Sequence, residues 1–116
     1  MRAHPLPLDV LNAALRFLEV DLGFILSDER SQSQVMCRQF IIGALRTIAH
    51  PQPSYPEINA MLGRNKHHST AVHQYQQWTH WPPRIRHALL LQLEAEIAHP
   101  LKSATLGAAS PVRRLA

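Results

Sequence analysis

Proline punctuation limits this chain more than any other feature. Pro51 and Pro53 stand two residues apart in "HPQPS", and Pro82 and Pro83 are adjacent in "WPP". Proline has no amide hydrogen and its ring clashes with the preceding turn, so neither a helix nor a central strand runs through these points. Between the breaks, apolar residues recur every three or four positions. One set is Leu8, Leu11, Leu15, Leu18 and Leu22, widened by Val10, Ala14 and Phe17. A second is Cys37, Phe40, Ile41, Ala44, Leu45 and Ile48, and a third is Ala71, Val72, Tyr75 and Trp78. The last is Ile85, Leu89, Leu93 and Ile97, broadened by Leu90 and Leu91. This is the period of a helix with one buried face, and strand alternation appears nowhere. The chain is therefore expected to be all-α, a compact bundle of about five to six helices.

Local signals place the ends of these helices. Gly23 is expected to loosen the end of the first, and "SDERSQSQ", residues 27–34, reads as a polar hinge without periodicity. Ser54 followed by Glu57 is the capping-box pattern, and Pro56 suits a first helical turn. A short helix from Ser54 to Leu62 follows, with Ile58, Met61 and Leu62 on one side and Gly63 to close it. Gly63–His67 reads as a tight turn, and a second helix runs from Ser69 to Trp78. Arg84–Ala98 forms the longest helix. "HPLKSATLGAASPVRRLA" is small, polar and unperiodic, so residues 1–99 are expected to form the domain and 100–116 a mobile tail.

At 116 residues the chain holds one domain's core, and 46% apolar residues support a packed interior. The formal charge is +4 and unevenly spread. Residues 1–30 carry three Arg against five acids, 31–78 four Lys/Arg against Glu57, and 79–116 five against two, so the basic surface belongs to the middle and the end. Polyanions are plausible partners. The single cysteine, Cys37, excludes an internal disulfide and fits a reducing compartment. No apolar run approaches the ~20 residues of a membrane span, and a proline pair interrupts the start where a signal peptide would be apolar. The expected setting is the cytoplasm, at the nucleoid, without membrane contact.

Several chemistries find no support. His68 and His73 are five residues apart, off the one-turn pairing that aims two histidines at one metal ion, and His67 and His68 diverge on a helix. Cys37 falls within an apolar stripe, where a buried inert thiol is far commoner than a nucleophile, and no acid is placed to orient a histidine. No phosphate-binding glycine loop occurs. Neither enzyme activity, metal nor cofactor is expected.

What remains is a short capped helix, a tight turn, and a second helix whose first turn carries Lys66, His68, Ser69 and Thr70. That is the pattern of a helix-turn-helix, in which free amides and a positive dipole end face phosphates and short polar side chains reach base edges. The bland alternative is that Ser69 and Thr70 merely cap the helix and the histidines are solvated. The order of residues in "SYPEINAMLGRNKHHSTAVHQY" resembles the DNA-reading segment of the bacterial replication initiator DnaA, with its proline-glutamate-isoleucine helix start, its Gly-Arg-Asp-His-Thr-Thr-Val-like turn and its closing histidine. Upstream, "LDVLNAALRFLEVDLGFILSDERSQSQVMCRQF" resembles the family's first helix, its hinge and the Arg-Gln pair that opens the next helix, so the likeness covers about residues 8–78.

The resemblance implies a Trp-repressor-like helical domain that binds a short asymmetric duplex site, the DnaA box, as a monomer. It implies that Tyr55 and Pro56 lie by backbone or bases, that His68, Ser69 and Thr70 take the place of the His-Thr-Thr readers, that His73 is the closing histidine, and that Arg38 neighbours phosphate. Arg64, Asn65, Lys66 and His67 complete the expected DNA-contacting set. The segment also departs from the family. One extra residue separates Gly63 from His68, Lys66 or His67 stands where the family has an acidic base reader, and Met36 occupies the place of a minor-groove arginine. These departures imply weaker binding or a different target sequence. About four to six cationic contacts, Arg38, Arg46, Arg64 and Lys66 among them, would give a salt-dependent affinity. Because the initiator's ATPase domain has no counterpart here, the resemblance implies a competitor for boxes, a regulator, or a partner of replication initiator proteins. A rival reading is a protein-interaction module or a transcriptional regulator without box recognition, with the Arg84–Ala98 helix and Tyr75, Trp78 and Trp81 as its docking face.

Overall fold

The computed structural model describes residues 5–26, 31–62 and 68–98, with the backbone alone at 68–70. The described residues form six helices and no strand: α1 Pro7–Leu18, α2 Leu22–Leu26, α3 Gln32–Thr47, α4 Tyr55–Met61, α5 His68–Thr79 and α6 Pro83–Ala98. The expected tail, and the polar segment 27–30, lie outside the described residues.

α1 starts with Pro7 in its first turn, while the Asp9 carboxylate accepts the Leu6 amide at 3.3 Å. The helix ends earlier than the leucine spacing predicts. Glu19 takes the left-handed conformation, φ 59° and ψ 39°, and its amide donates to the Arg16 carbonyl while that of Val20 donates to Leu15. This is the pair of bonds that closes a helix with a reversed turn, a position glycine usually fills. Gly23 is instead inside α2, a separate short helix whose first amides are met by Asp21 Oδ1, 2.8 Å from Phe24 N. The buried face of α1 follows the expected stripe except at its start. Val10, Leu11, Ala13, Ala14 and Leu18 are buried, whereas Leu8 is 62% exposed. Ala13 joins this face, which packs on α3 and α6.

α3 begins five residues before the expected stripe, because Ser31 caps it by accepting the Gln34 amide at 3.2 Å. The expected hinge thus shrinks to residues before Ser31. Gln34 is buried and donates to the Phe24 carbonyl at 2.9 Å, strapping α2 to α3. From Phe40 to Leu45 every residue is buried, so α3 is the central element, touching α1, α2 and α5. Its closest neighbour is Trp78 of α5, whose indole lies over Gly43. A Cβ at Gly43 would overlap the indole ring atoms. Around this contact runs a line of aromatic rings: Phe17 to Phe40 at 5.6 Å, Phe40 edge-on to Trp78 at 5.9 Å, and Trp78 to Trp81 at 4.9 Å.

α4 has the capping box the sequence predicts, with Ser54 N donating to Glu57 Oε1 at 2.9 Å and Glu57 N to Ser54 Oγ at 3.2 Å. α6 buries Leu89 and Leu93 against α1, as their spacing implies, while Leu91 stays 53% exposed. Glu96 is buried too, and accepts from Arg16 Nε at 3.0 Å, tying the ends of α1 and α6.

Two substitutions test this packing. Gly43→Ala is expected to lose stability by about 1–2 kcal/mol in urea unfolding, since the clash with Trp78 outweighs the better helix propensity of alanine. Unchanged stability would mean that Trp78 has room to move. Glu19→Gly is expected to gain about 0.5–1 kcal/mol by relieving the left-handed backbone, less the entropy glycine adds to the unfolded chain. A loss there would show that the Glu19 side chain outweighs that relief.

Candidate nucleic-acid interface

Of the residues singled out by sequence, Arg38 lies on α3, Tyr55 and Pro56 at the start of α4, and His73 on α5. α4 and α5 pack directly on each other and α5 also packs on α3. Arg64, Asn65, Lys66 and His67, which join α4 to α5, lie outside the described residues, as do the side chains of His68, Ser69 and Thr70. The backbone of those three residues forms the first turn of α5, so their position at a helix start agrees with the expectation.

Pro56 is exposed in the first turn of α4. His73 is exposed on α5, while Ala71 and Trp78 on the opposite side are buried. The exposed side continues beyond His73 through Gln76 and Gln77 to His80. Steps of three and four residues put His73, Gln76 and Gln77 in one stripe, and His80 is exposed in the turn just past the helix. Sequence reasoning stopped at His73, although the same spacing is visible in "HQYQQWTH".

Two arginines expected near phosphate face inward instead. Arg38 donates through Nε to the Ile25 carbonyl at 2.9 Å and through Nη2 to the same oxygen. It meets a helix-end carbonyl of α2 that has no partner within its own helix. Arg46 lies over the Tyr55 ring, 4.2 Å from its centroid, with Tyr75 at 5.8 Å, and its Nη1 donates to the Pro53 carbonyl at 3.0 Å. Tyr55 and Tyr75 themselves are 6.3 Å apart. The guanidinium thus fills the space between the end of α3, the start of α4 and the middle of α5, held by ring quadrupoles and one carbonyl. Its Nε is buried without a hydrogen-bond partner among the described residues, a cost set against the ring contacts and the Pro53 bond. Tyr55, expected beside DNA, is half-buried in this cage. Nothing local in the sequence links Arg46, Tyr55 and Tyr75; only the fold brings them together.

Two titrating groups depart from ordinary behaviour. The backbone and side-chain hydrogen bonds from Ser54 hold the Glu57 carboxyl below the usual carboxylate range, so the cap carries negative charge at the start of α4. Burial pushes the Cys37 thiol up to about 11, so it stays protonated at neutral pH and supplies no nucleophile. Among the described residues no three His, Cys, Asp or Glu side chains cluster as metal ligands would, and no helix is long and apolar enough to cross a membrane.

The aromatics of the rival docking face are mostly internal. Trp78 is 2% exposed, and Trp81 is half-buried with its indole N–H donating to Gln39 Oε1 at 2.8 Å. Tyr75 belongs to the arginine cage. No protein-family model matches the chain, and neither the curated proteins nor the solved structures give a significant match.

Arg46→Met is expected to cost about 1–3 kcal/mol in urea unfolding through loss of the ring contacts and the Pro53 bond. Arg46→Lys should recover little of it, because a compact ammonium cannot stack between two rings and reach the carbonyl together. Full recovery with lysine would reduce the cage to simple charge.

Proposed function

We propose that this chain is a sequence-specific duplex-DNA-binding module in which α4 and α5 act as a helix-turn-helix and α5 lies in the major groove. The observation that carries the reading is the pairing of a capped α4 with an α5 whose exposed side is polar and free of acids. Such a side enters an anionic groove without like-charge repulsion, and histidine, glutamine and hydroxyl groups are all able to bond base edges. The amides of the first turn of α5 add a partial positive charge toward phosphate. The order of residues around Pro56, Ser69, Thr70 and His73 is similar to that of DnaA. On that likeness the target is a DnaA-box-related site, and the role is in replication initiation, its regulation, or transcription from such sites. The chain would act as a monomer near the nucleoid, competing with or recruiting an initiator.

With Arg38 and Arg46 turned inward, fewer cations are available for phosphate than the sequence suggested. The lysine and arginine of the α4–α5 connection and the exposed Arg84 are the main candidates. About two to four contacts would weaken binding roughly ten- to hundredfold between ~50 and ~200 mM salt, by counterion release. Fluorescence anisotropy on a box-bearing duplex measures this, and no binding at low salt, or binding indifferent to salt, would overturn the reading. His68→Ala and Thr70→Ala should reduce discrimination between box and scrambled duplex, whereas Lys66→Ala should weaken both alike. Equal losses on both duplexes in every variant would remove base readout from α5.

A further inference from the structure

We propose that Gln76 of α5 reads an adenine in the major groove and so fixes one position of the target sequence; this rests on the DNA-binding reading above. The buried side of α5 is set by Ala71 and Trp78. Positions 69, 73 and 76, spaced by four and three residues, lie along the opposite side of the helix. His73 and Gln76 are both exposed there. Gln77 is exposed as well, but about 100° further round the helix, on the flank of that line. An α5 seated in the groove with its buried side on α3 and α4 therefore turns Gln76, rather than Gln77, toward the base edges.

The side chain of Gln76 is uncommitted while its backbone is held. Its carboxamide makes no hydrogen bond among the described residues. Other glutamines are used within the fold: Gln34 donates to the Phe24 carbonyl, Gln39 accepts from the Trp81 indole, and Gln52 donates to the Arg46 carbonyl. The Gln76 carbonyl closes the end of α5, accepting Thr79 Oγ1 at 2.6 Å with His80 Nδ1 at 2.7 Å. Two residues on, Trp78 is fixed over Gly43. The backbone is thus in place before DNA arrives, and binding orders only the side chain. His68–Thr79 contains no Lys, Arg, Asp or Glu, so no charge on the same helix draws the carboxamide away from a base.

A carboxamide offers a donor and an acceptor side by side. In the major groove adenine is the base that presents the complementary pair, N6–H as donor and N7 as acceptor. Guanine presents two acceptors, cytosine a donor, and thymine an acceptor beside its methyl group. Positions 69 and 76 are about 10 Å apart along the helix axis, so this adenine lies roughly two to three base pairs from the one beneath the helix start.

Selection of bound sequences from a random duplex pool by the full chain tests the assignment. The unaltered chain is expected to enrich an adenine at one position, preferred roughly five- to a hundredfold over the other bases. Gln76→Ala should flatten the preference there and leave the other positions unchanged. Gln76→Glu should move it toward cytosine, whose N4 amine a carboxylate accepts. Gln92→Ala, at an exposed glutamine of α6, should leave the whole profile unchanged. The readout is the sequence of the bound duplex rather than its amount, so a loss of stability does not imitate the effect. A profile that survives in Gln76→Ala, or that loses its adenine in Gln77→Ala instead, would overturn the assignment while leaving DNA binding standing. So would a flattened position that had not been an adenine. No enrichment of any sequence, even at low salt, would overturn both readings.

Discussion

The contact between Trp78 and Gly43 is the constraint on which the rest of the structure depends. An indole can lie flat on a helix only where the helix has no side chain, and α3 provides that place at its centre. The largest buried ring is thereby fixed against the most buried helix, and with it the position of α5 on α3. Phe40 and Phe17 carry the packing on toward α1, while Trp81 carries it into the turn that starts α6. The exposed stripe of α5 faces solvent because Ala71 and Trp78 define its opposite side. The orientation of the candidate interface is a consequence of core packing.

Three arginines among the described residues use their charge within the fold. Arg38 ends α2 by meeting a carbonyl that the five-residue helix cannot satisfy itself, and Arg46 wedges three helices together between two tyrosines. Arg16 reaches the buried Glu96 to join α1 to α6. A formal surplus of +4 therefore overstates the cationic surface offered to a partner. The positive character of the middle segment is partly structural, so the polar but uncharged side of α5 has more weight in any contact with nucleic acid.

Much of the local structure was legible in the chain. Prolines end α3 and start α6 because the missing amide acts within one turn, and the Ser54–Glu57 box acts across three residues. The spacing of Leu89 and Leu93 gave their burial directly. Leu8 looks like core by size and period, yet in the first turn of α1 it is exposed, while Val10, Leu11, Ala14 and Leu18 of the same stripe are buried. Glu19 ends α1 although glycine is the usual residue for that conformation, and Gly23, which carries the usual signal, is inside the next helix.

The all-helical class, the Ser54–Glu57 cap, the proline breaks, and the placement of a polar helix start after a capped short helix were determined by the sequence alone, because each depends on residues within one or two turns. The inward use of Arg38 and Arg46, and the cage that joins residues 46, 55 and 75, were decided only by tertiary structure. Those features need partners from different helices, separated by up to 29 positions between Arg46 and Tyr75, and no local pattern encodes such a meeting. The exposed stripe from His73 to Gln77 belongs to both. Its spacing is written in the chain, but its exposure follows from the packing of Ala71 and Trp78 on the opposite side of α5.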